Sequence, residues 1–163
     1  PARPISAVIE VDYAIPGCPI DRNEFIQIVQ KLLQGRKPKL PDYPLCVECK
    51  LAENACLNKQ GIPCLGPVTR AGCAAICPQY GSGCEACRGF VPEANFEAMR
   101  DVLRGHGLTD VEIDAQFSMF NAYQLKEMGD AAPLSAQSGN GSRRRATDAE
   151  KLPSSTFAAP KEA

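Results

Sequence analysis

CVECKLAENACLNKQGIPCLGPVTRAGCAAICPQYGSGCEAC, residues 46–87, holds every cysteine of the chain except Cys18. The thiols stand at Cys46, Cys49, Cys56, Cys64, Cys73, Cys77, Cys84 and Cys87, and a C-x-x-C pair opens and closes the run. Large apolar residues in and beside it are few: Leu45, Val47, Leu51, Leu57, Ile62, Leu65, Val68 and Ile76. Gly61, Gly66, Gly72, Gly81 and Gly83 are interspersed among them. A segment so short of large side chains does not build an ordinary core, so a bound group is expected to order it. The run carries twice the four thiols that one 4Fe–4S cluster or one Cys-only zinc site takes.

Three chemistries compete for these thiols. Dense cysteines mark small secreted disulfide scaffolds, but here the density is local, the flanks read as ordinary globular sequence, and no signal-peptide pattern is visible. Zinc favours C-x-x-C pairs, yet ribbons set two short knuckles apart, and Cys56, Cys64, Cys73 and Cys77 are singles at irregular spacing. Cys77-Pro78 is similar to the Cys-Pro that closes ferredoxin cluster motifs. The spacing therefore favours iron–sulfur clusters, with a structural zinc module for protein binding as the alternative.

The bulk properties narrow the class. The 163 residues suit one domain or slightly less. A formal charge of −1 gives no reason to expect a nucleic-acid partner. No apolar run is long enough for a helical membrane span. Thiol-ligated clusters call for a reducing compartment, so a cytoplasmic location is expected.

Upstream of the cysteine run, residues 5–13 (ISAVIEVDY) are rich in β-branched side chains and predict a short buried strand. Pro16-Gly17-Cys18-Pro19 then breaks regular structure. Asp21 with Glu24 forms a capping-box pattern, and Phe25, Ile28, Val29, Leu32 and Leu33 make one helical stripe, ended by Gly35 and Pro38. Strand, loop and helix make half of a βαβ unit, whose ligands sit beyond the strand's carboxyl end, where Cys18 lies. By spacing alone Cys18 reads first as a small buried hydrophobe; its rigid loop and its place before a helix N-terminus raise the other reading, a favoured thiolate.

Downstream, Phe96, Met99 and Leu103 predict a helix ended by Gly105 and Gly107, with His106 in a solvated position at its C-terminus. Thr109 and Glu112 form a second capping box, opening a helix to about Lys126 with Val111, Phe117 or Phe120, and Tyr123 inward. From Gly129 the Ala, Ser, Pro and Gly content predicts a disordered tail, with a short basic run at Arg143, Arg144 and Arg145. The fold expected is an α/β fragment over residues 1–38, a mostly irregular and α-helical cluster domain over 39–128, and the tail over 129–163.

The order Pro16-Gly17-Cys18-Pro19, Cys46-x-x-Cys49, CLGPVTRAGC (64–73) and CEACRG (84–89) resembles the small subunit of nickel–iron hydrogenases. The likeness is greatest to the cytosolic cofactor-coupled group that includes sulfhydrogenase-type and methyl-viologen-reducing enzymes, and it covers about residues 5–125. The resemblance implies that residues 1–38 end a flavodoxin-like domain and that the chain relays electrons without doing bond chemistry itself. It implies as partners a large nickel–iron subunit and an electron-acceptor subunit, a flavin or iron–sulfur protein. It assigns Cys18 to a proximal cluster, Cys46, Cys49, Cys56 and Cys64 to a distal one, and Cys73, Cys77, Cys84 and Cys87 to a medial one. Membrane-bound and periplasmic relatives have a histidine where Cys46 stands, and a proline and a three-iron cluster where Cys77 stands. Both departures imply two 4Fe–4S clusters here. The other three proximal ligands do not precede Cys18, so a third cluster is expected only in a full-length subunit. Lys50 and Arg88, each next to a ligand, and Arg70, three residues before one, are candidate cations to offset cluster charge, or else ordinary surface charges.

Overall fold

Three short lengths of chain, around residues 43–45, 68–71 and 89–91, lie side by side and are joined by backbone hydrogen bonds. The computed structural model describes residues 4–127; the tail and its arginine run lie outside the described residues. Residues 68–71 occupy the centre. On one side the Leu45 N–H donates to the Thr69 carbonyl (2.8 Å) and the Ala71 N–H to that of Tyr43 (3.0 Å). On the other, the Arg70 N–H donates to Gly89 and the Val91 N–H to Val68, both at 3.0 Å. Only isolated antiparallel bridges result, Pro44 with Arg70 and Thr69 with Phe90. Among the described residues no β-strand forms. Pro44, Gly66, Gly72 and Gly89 punctuate these lengths and keep each from extending.

Among the described residues the chain forms five α-helices: α1 (Arg22–Leu33), α2 (Leu45–Leu51), α3 (Ile76–Gln79), α4 (Phe96–Gly105) and α5 (Asp110–Glu127). α4 and α5 pack against one another and close the main core of Leu65, Val68, Ala86, Phe90, Met99, Leu103, Ile113 and Phe117. Phe90, Phe96 and Phe117 meet edge to face, with ring centroids 4.9–6.0 Å apart, a geometry worth about 0.5–1.5 kcal/mol per pair beyond burial. A second, smaller core is built partly from thiols: Leu45, Leu57 and Ala75 with Cys64 and Cys84.

The strand expected over residues 5–13 does not form. Ile5–Ala7 is a single 3-10 turn, followed by irregular chain in which Ile5, Val8 and Ile9 are exposed. A strand needs a neighbour to take its N–H and C=O groups, and none lies alongside. The backbone closes local bonds instead, Ala7 to Pro4 and Val8 to Ile5. β-branched composition alone does not hold an extended segment.

Helix α1 follows its apolar stripe. Asp21 caps it by accepting the Glu24 N–H at 2.8 Å. The Glu24 carboxylate, however, turns away from the cap toward Arg88, so only half of the capping box is made. Ile28 is buried, while Phe25, Ile26 and Leu32 are near half exposed and Leu33 is 83% exposed.

The second capping box is complete. The Thr109 N–H and hydroxyl both donate to Glu112 (2.8 and 2.7 Å), and the Glu112 N–H returns to the hydroxyl. The inward face of α5 differs from expectation at Val111, which is 72% exposed, and at Phe120, which is near half exposed. The buried positions are Ile113, Phe117 and Asn121, a four-residue spacing that leaves Val111 about 200° round the helix from Ile113. α4 is capped by Asn95, whose side chain accepts from Ala98, and Met99 and Leu103 are buried as expected. His106 is the C-terminal cap of α4, but its Nε2 is buried without a partner rather than solvated.

Candidate metal centre

Short helices and tight turns, rather than long elements, place the thiols. α2 carries Cys46 and Cys49 on one turn. Cys56 precedes a 3-10 turn, Leu57–Gln60, from which Asn58 holds the next thiol: its amide donates to the Cys64 carbonyl (2.9 Å) and accepts the Cys64 N–H (3.1 Å). All nine thiols are free. Cys64 and Cys84 are buried, Cys46, Cys49, Cys73 and Cys87 are half-buried, and Cys18, Cys56 and Cys77 are exposed. Exposure of Cys18 removes the reading of it as a buried hydrophobe.

The thiols fall into two neighbourhoods. Burial pushes the Cys46 pKa up to about 11, and the thiols that raise it further are Cys64, Cys49 and Cys56. Gly66 sits between two of these: a Cβ there would lie 3.4 Å from the Cys46 sulfur and 3.5 Å from that of Cys64. Burial likewise raises Cys87, whose thiol neighbours are Cys73, Cys18 and Cys77. Cys84, pushed up to about 12 chiefly by burial, has both Cys64 and Cys73 beside it. Its N–H donates to the Cys64 sulfur at 3.3 Å, so it stands where the two neighbourhoods meet.

Polar groups converge on the sulfurs. The Thr69 hydroxyl lies 3.4 Å from the Cys84 sulfur while donating to the Leu65 carbonyl at 2.7 Å. Peptide N–H groups of Ala75 and Ile76 oppose the burial that raises Cys73. That of Ala86 acts the same way on Cys84, and that of Cys18 on Cys87. The backbone beside these thiols is bent. Ala74, Ala75 and Ala86 take left-handed conformations, with φ of 53°, 52° and 59°, each costing about 1–2 kcal/mol for a residue with a Cβ. Cys73 and Cys77 are not joined by a helical turn, since α3 begins only at Ile76.

These thiols fit a group that takes them as thiolates. Burial keeps the protons of Cys46, Cys73, Cys84 and Cys87 in place until a cation discharges them, and N–H groups near sulfur are the second layer that stabilises an anionic centre. Zinc with four thiolates needs sulfurs drawn in to about 2.3 Å from a single point. Among the described residues no three His, Cys, Asp or Glu side chains are so arranged around one metal ion.

Of the three candidate cations, Lys50 acts on Cys46, lowering its pKa as the least of the causes. Arg70 is committed to carbonyls, donating to Pro41 at 2.9 Å and Phe90 at 3.1 Å. Arg88 is no surface charge: it is 1% exposed. It donates to the Ala71 carbonyl (2.7 Å), the Pro16 carbonyl (2.9 Å) and, forked, to both oxygens of Glu24 (2.8 and 2.6 Å).

Four supporting residues were not legible in the sequence. Thr69, Glu24, Glu48 and Asn121 owe their roles to partners far along the chain. Glu48 accepts the Gly72 N–H at 2.8 Å and lies near Cys73, raising its pKa. Asn121 donates to the Ala86 carbonyl at 2.9 Å. It leaves helical geometry to do so (φ −124°, ψ 17°), kinking α5.

Known proteins with similar sequences are hydrogenase subunits. The chain is 46% identical over 119 residues to the sulfhydrogenase 2 subunit delta of Pyrococcus furiosus, covering 72% of this chain and 50% of that protein. It is 34% identical over 145 residues to a vhu F420-non-reducing hydrogenase subunit of Methanocaldococcus jannaschii, covering 77% and 50%. It is 28% identical over 142 residues to an F420-non-reducing hydrogenase iron-sulfur subunit of Archaeoglobus profundus, covering 66% and 44%. The chain spans about half the length of the curated relatives it matches. No protein-family model matches it.

Proposed function

We propose that this chain is the electron-relay part of a nickel–iron hydrogenase small subunit and holds two 4Fe–4S clusters. Cys46, Cys49, Cys56 and Cys64 would hold the distal cluster, and Cys73, Cys77, Cys84 and Cys87 the medial one. The observation that carries the reading is the gathering of thiols into two adjoining neighbourhoods, with N–H groups aimed at the sulfurs. Similarity to hydrogenase subunits, one of them named as iron–sulfur, supports it.

When bound, each cluster supplies a one-electron redox centre. The chain's own part is to bind, insulate and tune. Leu45, Leu57 and Ala75 exclude water beside Cys64 and Cys84. The N–H groups of Ala75, Ile76 and Ala86 stabilise sulfur charge and so help set the potential. The Cys64–Cys84 contact brings the two thiol groups together, which favours transfer between them.

Residues 4–38 belong, in this proposal, to the end of a flavodoxin-like domain. Cys18 sits at its loop before α1 as one ligand of a proximal cluster whose other ligands lie elsewhere. The exposed apolar side chains of Phe25, Ile26, Leu32 and Leu33 support a missing neighbour there. The partners are a large nickel–iron subunit and an electron-acceptor subunit, in the cytoplasm.

Iron analysis after anaerobic reconstitution tests the reading. About eight irons per chain and a brown protein are expected from two four-iron clusters. Stoichiometric zinc in a colourless protein, with no iron, would overturn it.

A further inference from the structure

Arg88 is the side chain that joins the two halves of the described molecule. It follows Cys87 directly in sequence, yet its guanidinium reaches Glu24 of α1 and the Pro16 carbonyl, two residues before Cys18. Its Nε donates to Ala71, and Gly72 lies so close that any Cβ there would collide with the guanidinium. Gly72 has φ of 114°, a conformation that glycine tolerates. One buried fork therefore touches the segment before Cys73, the segment before Cys18 and the first turn of α1, while starting beside Cys87. Its salt-bridge partner is Glu24, at 15% side-chain exposure.

We propose that the Arg88–Glu24 fork is a positioning device that seats the Cys18 loop on the thiol group of Cys73, Cys77 and Cys87. The assignment rests on the proposed cluster function only for its consequence. The seating itself is a property of the chain. With the loop seated, the Pro16 carbonyl is held at 2.9 Å by the guanidinium of the residue that follows Cys87, which brings the Cys18 loop up to that turn. The same contact places the Cys18 sulfur beside Cys87, so the ligand assigned to one cluster neighbours a ligand of the next. Arg88 and Glu24 would thereby set both the potential at Cys87 and the approach of the two centres. Neither residue is a ligand. Both act through Cys18 and Cys87.

Only a guanidinium makes these contacts. Lysine keeps the charge but has neither the planar fork nor the reach to two carboxylate oxygens and two carbonyls at once. Breaking one side of a buried pair strands the other and is strongly destabilising, so single truncations unfold more than they inform. Replacing both partners with methionine removes the fork without leaving a buried charge.

The test compares the full chain with Arg88→Lys and with the double variant Glu24→Met/Arg88→Met, each reconstituted anaerobically. Amide hydrogen exchange reads the seating, and a redox titration reads the potential at the Cys73–Cys87 group. In the double variant the Cys18 amide should exchange at least about tenfold faster, while the amides of Leu45, Leu103 and Ile113 keep their protection. The potential should shift, because the seated loop beside Cys87 loosens. Arg88→Lys should fall between the two. Unchanged Cys18 exchange in a folded double variant overturns the proposal, and so does faster Cys18 exchange with an unmoved potential. Global loss of protection in the double variant would make the pair a folding element and would also overturn it. If the wild-type chain takes up no iron, the cluster reading fails, and the exchange comparison still decides the seating.

Discussion

The Cys84 N–H donates to the Sγ of Cys64 at 3.3 Å, across twenty residues of sequence. In the same place the Leu65 N–H donates to the Cys84 carbonyl at 2.8 Å, so the 64–65 and 84 segments bind each other in both directions. Gly83 permits this, since a Cβ there would run into the Pro63 carbonyl. The two proposed clusters thus share a wall. Cys64→Ala should remove a distal ligand and leave a buried N–H unpaired, which costs about 1–3 kcal/mol. Iron should fall from about eight toward four, the number in one remaining cluster, and the melting temperature should drop. Iron content equal to wild type would remove Cys64 from the ligand set.

Cys77 is the test of cluster type. It is the second residue of α3, followed by the buried Pro78. A proline at an early helix position sacrifices no helical hydrogen bond, so Cys77→Pro should fold. With Cys73, Cys84 and Cys87 remaining, electron paramagnetic resonance of the oxidised variant should show a new three-iron signal while the cluster at Cys46 persists. Loss of both clusters, or a change in neither, would mean that the cysteines are partitioned differently.

Asn121 holds the turn between Cys84 and Cys87 from outside, by its bond to the Ala86 carbonyl. It is 6% exposed and Ala86 is fully buried. Asn121→Ala removes one of the two donors to that carbonyl and leaves it the Gly89 N–H at 3.0 Å, a loss of about 0.5–1.5 kcal/mol. Thermal unfolding should show the loss in the metal-free chain, and the loaded protein should lose the Cys84–Cys87 cluster faster on heating. A melting temperature equal to wild type would mean that the bond contributes nothing to the turn.

The metal-free chain should lose stability in alkali. Burial raises Cys46 to about 11 and Cys84 to about 12 from the usual thiol value, so the folded state holds protons that the unfolded state releases. Their contribution is fully present below about pH 9 and is lost as pH rises from there toward about 12. Melting temperature recorded from about pH 7.5 to 11 should fall above about pH 9. Ligation takes the same thiols as thiolates, so iron or cadmium uptake at about pH 7 should release protons, measurable in a weakly buffered dye solution. A flat melting profile, or uptake without proton release, would contradict the burial of these sulfurs.

Residues 46–87 carry, in composition and spacing, the pattern expected of four-thiolate ligation, which neither a hydrophobic core nor a surface loop would produce. Helix α1, the helix beginning near Phe96 and the Thr109–Glu112 box followed from local rules, since caps and stripes are satisfied within a turn or two. What the tertiary structure decided is everything that depends on distant partners. Residues 5–13 have strand composition but no neighbour to pair with, so they turn. Val111 and Phe120 look inward by hydropathy, yet α5 is oriented by Ile113, Phe117 and the need of Asn121 to reach Ala86. Cys84 belongs by spacing with Cys87, and only folding sets it against Cys64. Arg88 reads as one more charge after a cysteine. It becomes the joint between Cys18 and the cysteine run because a buried guanidinium must satisfy its donors, and Glu24, Pro16 and Ala71 are the acceptors that the fold delivers to it.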